Sequence, residues 1–161
     1  MPRVGVIFFF LVPLFFLEFA LNRFWGMLLT PDFSILLIVF FSLYWGIRYS
    51  LITAVLAGIL KDSFATNGFG MHLFSYVVCA YLTTILIKYI YQRGSRELRV
   101  ILVVVMTFIQ GIMHFLLLNV FADVSLGESL LVAIIPGALV NALVANFVFD
   151  RMKLCVSKLS V

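Results

Sequence analysis

Glu18, Asp62 and His114 are titratable groups set in strongly apolar surroundings. In lipid such groups carry protons or ions, or they bind helices to one another. These three fall at different depths of their segments and form no evident relay. No two acids lie one helical turn apart inside an apolar segment, as a catalytic carboxylate pair would. Gly-x-Ser-x-Gly, His-Glu-x-x-His and Walker-type motifs are missing from the chain. Two histidines without a Cys/His cluster make no metal site, and no cofactor is expected. The pattern points away from an enzyme.

Asp62 ends a row of small residues, Ser50, Ala54, Gly58 and Asp62, spaced four apart. In a membrane, small residues at this spacing let a second helix approach closely. A carboxylate at the C-terminal end of a helix opposes the macrodipole. Lys61 is about 100° away around the helix and is not an ideal partner for the same face. Asp62 therefore either accepts from the backbone of the Asn67–Gly70 loop or meets a group on another helix, a partner or a ligand.

The other polar residues admit structural roles. Glu18 is expected to snorkel to the interface, with buried pairing as the alternative. Pro31-Asp32 is a helix-start signal, with Thr30 available as a cap. Gly68 and Gly70 supply the permissive backbone for a tight turn into the next span. His72 is expected to be solvated or bonded to that loop. Thr107, Gln110 and His114 share one helix face, and with Asn141 they mark a candidate polar pocket. Interhelical hydrogen bonding is the commoner use of such residues.

The elements that must position these residues are membrane helices. Of the 161 residues, 65% are apolar and 11% charged, and the mean hydropathy is +1.21. A soluble domain of this size cannot hide so much apolar surface. The continuous apolar runs exclude the alternation of a β-barrel. Six spans fit, at 4–21, 31–47, 50–65, 71–92, 98–120 and 128–150, as one transmembrane domain. The third is short and can borrow from the Trp45-Gly46-Ile47-Arg48 hairpin. A five-span alternative would fuse spans two and three across Arg48. The first segment imitates a signal peptide, but Glu18-Phe19-Ala20-Leu21-Asn22 offers no cleavage site, so it is expected to remain as a span. Cys79 and Cys155 make no disulfide framework.

With six spans, nine of the eleven basic residues fall on one side: Arg3, Arg48, Lys88, Arg93, Arg96, Arg99, Arg151, Lys153 and Lys158. Arg23 and Lys61 fall on the other, whose last loop carries Asp123 and Glu128. The positive-inside rule places both termini in the cytoplasm. The net charge of +4 fits attraction to anionic lipid rather than nucleic acid, for which no folded basic face exists. Span six carries two rows of small or polar residues, Ala133-Gly137-Asn141-Ala145 and Ala138-Ala142-Asn146-Asp150, and is expected to pack on two sides, with Pro136 as a candidate kink.

The block Pro31-Asp32, then Gly58-Ile-Leu60-Lys-Asp62, then Gly68-Phe-Gly70 resembles the MreD family of rod shape-determining proteins. The family pattern opens a span with Pro and a polar residue. It continues with Gly-apolar-Leu-x-Asp and a short loop ending in Gly-x-x-x-Leu; here Phe74 stands where Leu is expected. The resemblance implies a non-catalytic, multi-pass component of the bacterial inner membrane that serves cell elongation and peptidoglycan synthesis. It implies direct binding of MreC, with MreB, RodA and a class B penicillin-binding transpeptidase as complex members. It also implies an all-α six-helix bundle similar to the S components of energy-coupling-factor transporters. The alternative is accordingly a small-molecule-binding transporter subunit, although span one lacks the Ala-x-x-x-Ala docking face of those proteins. The resemblance casts the Ser50–Asp62 row with Gly68, Gly70, Pro31 and Asp32 as a structural or partner-binding seam, expected to receive the membrane helix of MreC.

Overall fold

The computed structural model describes residues 3–25, 30–65, 70–90, 96–122 and 129–159. They form six helices: α1 Arg3–Trp25, α2 Phe33–Trp45, α3 Ile47–Phe64, α4 Met71–Ile90, α5 Arg96–Ala122 and α6 Ser129–Leu159. Gly68, Arg93, Asp123 and Glu128 lie outside the described residues.

α2 is the axis of the bundle. It touches each of the other five helices, and every residue from Phe33 to Ser42 is buried. An all-round apolar helix of this kind belongs inside protein. Its 13 residues span about 20 Å, less than a bilayer core. Protein rather than lipid surrounds it, so its length need not match the membrane. α1, α4, α5 and α6 are long and apolar enough to cross a membrane. Their outward faces carry large exposed apolar side chains, including Phe9 and Phe16 on α1, Leu116 on α5 and Leu143 and Phe147 on α6. This is a helical membrane protein.

Gly46 alone separates α2 from α3. Its φ of +85° is open to glycine, and its N–H closes the end of α2 on the Phe41 carbonyl at 3.0 Å. The chain reverses there, and Ser50 Oγ donates to the Ile38 carbonyl across the hairpin. The break excludes a fused five-span arrangement, and α3 takes in Arg48 as its first turn. A second boundary differs more. The sixth span, expected to end at 150, continues as α6 to Leu159, because Met152 is buried in the core and the flanking residues are good helix formers. α6 also runs on through Pro136.

The small-residue row of α3 is occupied from within. Ser50, Ala54, Gly58 and Asp62 are all buried. A Cβ on Gly58 would come 2.4 Å from Leu73 Cα and 2.9 Å from Leu73 N, so α4 lies directly on it. The expectation that this row receives the membrane helix of a partner is corrected: its helix-packing role is met by α4. On α6, Asn141, Ala145 and Ala138 face the core, whereas a Cβ on Gly137 would meet nothing within 4 Å.

Gly58→Ala must push backbone against backbone, and overpacking of this kind costs about 1–3 kcal/mol. The variant is expected to unfold in detergent at a clearly lower temperature than the wild type, whereas Gly137→Ala is expected to leave the midpoint nearly unchanged. Thermal unfolding of the two variants side by side checks both outcomes.

Candidate functional site: a buried ionic node

The polar residues gather at one end of the bundle, where α1, α3 and α5 finish and α2, α4 and α6 begin. Lys61 Nζ is 2.6 Å from Glu18 Oε1 and 3.0 Å from Asp32 Oδ1. The three side chains are only 11–19% exposed. At that depth an unpaired charge is expensive, and mutual pairing with further hydrogen bonds is what makes the arrangement tolerable. The further bonds are present. Glu18 Oε2 accepts from the Phe33 N–H at 3.2 Å, tying α1 to the first turn of α2. Asp32 caps α2 by accepting from the Ile35 N–H at 3.3 Å. The buried Tyr76 of α4 donates its hydroxyl to Asp32 Oδ2 at 2.9 Å. Its ring also lies against Lys61, with Nζ 5.4 Å from the centroid.

A neutral branch extends the node to the remaining helices. The Asp32 N–H donates to Asn141 Oδ1 of α6 at 2.7 Å. Asn141 Nδ2 donates to Thr107 Oγ1 of α5 at 3.0 Å, and Thr107 donates on to the Val103 carbonyl. Glu18, Asp32, Lys61, Tyr76, Thr107 and Asn141 thus join α1, the start of α2, α3, α4, α5 and α6 in one connected network.

Asp62 builds a second, adjoining arrangement. Oδ2 accepts from the N–H groups of Gly70 and Leu73, and Oδ1 from the N–H of His72, each at 3.0 Å. His72 Nδ1 also lies 3.0 Å from Oδ1. The carboxylate at the end of α3 therefore caps α4 from outside its own helix. The macrodipole objection disappears, since the positive end of α4 faces the charge. Gly70 takes φ +103° to present its N–H, a backbone conformation suited to glycine. The His72 ring stacks on His114 of α5 at 4.2 Å between centroids.

Several expectations change in this light. Glu18 does not snorkel; it is buried and paired, because Lys61 and the free N–H of α2 lie within its reach. Thr30 is not the cap of α2, since Asp32 fills that role and the Thr30 hydroxyl donates to Asn22 Oδ1. The candidate pocket residues Gln110, His114 and Asn141 separate: Asn141 enters the network, His114 stacks on His72, and Gln110 is half-buried outside both. Lys61 was missed as the centre. The available signal was that Lys61, Glu18 and Asp32 all stand at the same end of their spans, with one cation facing several acids.

Comparison with protein families matches rod shape-determining protein MreD over residues 2–156 of the 161. The chain belongs to the MreD family. No curated protein and no solved structure matches it. The block that resembles the MreD pattern maps onto the two arrangements just described. Pro31 is buried beside the capping Asp32, Gly58 admits α4, Asp62 caps α4 and Gly70 turns into it. Phe74, which departs from the expected Leu, is 53% exposed and outside the hydrogen-bonded cluster.

Asp62→Ala leaves several N–H groups at the start of α4 without an acceptor, at about 1–3 kcal/mol for each that stays dry. Expected outcomes are a lower unfolding midpoint and faster amide exchange confined to Gly70–Leu73 and the following turn. Exchange unchanged in that turn would contradict the capping role.

Proposed function

We propose that this MreD-family protein is a non-catalytic scaffold of the bacterial cell-elongation machinery. In this view it sits in the inner membrane with both termini cytoplasmic and binds MreC. MreC connects it to MreB, RodA and the class B transpeptidase. Family membership supplies the role in rod shape. The observation that carries the non-catalytic part is the state of the acids. All six carboxylate oxygens of Glu18, Asp32 and Asp62 are engaged by Lys61, Tyr76, His72 or helix N–H groups. Groups held in this way set helix positions; they are poorly placed to exchange protons with a substrate.

The arrangement also supports a scaffold that is rigid at one end and offers partners its outer surface. The α3 row is filled by α4, so MreC is expected on the lipid-facing surface or the outer loops. The opposite end carries Arg3, stacked against Trp45 and Tyr49 with its guanidinium carbon 5.4–5.9 Å from their centroids, and the buried Arg99. That placement supports a cytoplasmic basic end.

Detergent extraction of the tagged protein followed by mass spectrometry of its companions tests the proposal. Recovery of MreC with RodA and the transpeptidase is expected. Recovery of an energising ATPase pair in place of MreC would contradict it and favour the transporter-subunit alternative.

A further inference from the structure

Arg99 is buried at the basic end of the bundle, and the contacts it makes there leave it poorly satisfied. Its side chain is 9% exposed. A guanidinium has five N–H donors, and a buried one needs most of them answered. Nη1 donates one long hydrogen bond to the Tyr44 hydroxyl, at 3.4 Å. The nearest acid, Asp150, stands 3.7 Å away with its side chain 44% exposed, beyond hydrogen-bond distance. Nε is buried without a hydrogen-bond partner. The outer carboxylates show how this chain satisfies a buried charge, with an engaged atom at every position. Arg99 departs from that pattern.

The surroundings indicate what completes it. Arg99 lies in the first turns of α5, where the backbone N–H groups and the helix dipole favour an anion. On α6, Phe147 and Leu154 lie one turn either side of Asp150, and both are more than half exposed. Arg151 is exposed one residue beyond Asp150, its guanidinium carbon 5.4 Å from the Phe147 centroid. Exposed Lys88 and Lys153 add positive charge, and the exposed Glu97 and the half-exposed Asp150 oppose it. A phosphodiester at the lipid boundary carries negative charge and offers two oxygens to a planar guanidinium, and so fits what Arg99 lacks.

We propose that Arg99, with the start of α5, forms a site for the phosphate of an anionic phospholipid headgroup, lodged between α5 and α6 at the basic end. Basic pockets between membrane helices recognise headgroups by this chemistry. The site is independent of the ionic node and of the reading that MreC is the partner.

The test uses the purified full chain in detergent, titrated with phosphatidylglycerol, phosphatidylcholine or inorganic phosphate, with retained lipid read by native mass spectrometry and stability by thermal unfolding. Phosphatidylglycerol alone is expected to be retained and to raise the unfolding midpoint. Arg99→Gln is expected to bind it about fivefold more weakly, the ratio one lost charge near the membrane surface commonly gives. Asp150→Asn keeps the guanidinium and removes the competing acid, so it is expected to bind more tightly than the wild type; this arm reads binding even if Arg99→Gln fails to fold. Equal retention of phosphatidylcholine, or phosphatidylglycerol binding unaltered by Asp150→Asn, would overturn the site. Stabilisation by inorganic phosphate equal to that by phosphatidylglycerol would overturn the lipid as its occupant.

Discussion

The Lys61 ammonium is held between the Glu18 and Asp32 carboxylates, and the positions of the other helices at that end follow from this contact. One cation answers two acids brought from separate segments, in surroundings where neither acid could stay charged alone. Because Glu18 also holds the Phe33 N–H and Asp32 the Ile35 N–H, the same contact fixes where α2 begins. Asp32 then sets the depth of α4 through Tyr76 and of α6 through Asn141, which reaches α5 through Thr107. Apolar packing is not directional in lipid, where neighbouring acyl chains are as apolar as leucine. Polar contacts of defined geometry supply the register that apolar contact alone leaves open.

The short central helix makes this register necessary. α2 is enclosed by its neighbours and has no lipid-facing surface along Phe33–Ser42 to set its height in the bilayer. It is instead fastened at both ends, by Gly46 and the hairpin into α3 on one side and by Asp32 with its ionic partners on the other. Asp62 repeats the device for α4. An acid at the end of one helix satisfies the start of the next, so the α3–α4 connection is held by charge against backbone as well as by the close approach at Gly58. The Pro31–Gly70 part of the chain, which carries the MreD pattern, is thus the part that sets these helix starts.

Helix number was legible in the sequence because lipid imposes strong rules on apolar length. The reversal at Gly46 was legible from its glycine between aromatic and basic interface residues. Asp62 was narrowed to two alternatives by the dipole argument, and the structure combines them: it meets the N–H groups of Gly70, His72 and Leu73 and the side chain of His72. The Lys61 contacts were not legible. Helix periodicity relates residues a few positions apart, which is why Lys61 was weighed against Asp62 alone, whereas Glu18 and Asp32 reach it from other segments. Glu18 was misjudged for the same reason, since snorkelling is the cheaper fate only for an acid with no buried partner. The helical course of 151–159 was hidden by its charge, with Met152 and, one turn on, Val156 marking the buried face.

If Lys61 is the contact on which its end of the bundle depends, the balance of charge rather than the presence of polar groups should control stability. Thermal and denaturant unfolding in detergent of Lys61→Met, and of Lys61→Met combined with Glu18→Gln and Asp32→Asn, measures this directly. Removing the lysine alone leaves two buried acids facing one another and should cost about 3–5 kcal/mol, while neutralising the acids as well should restore a large part of that loss. A Lys61→Met protein as stable as the wild type, or a triple variant no more stable than the single one, would contradict the account.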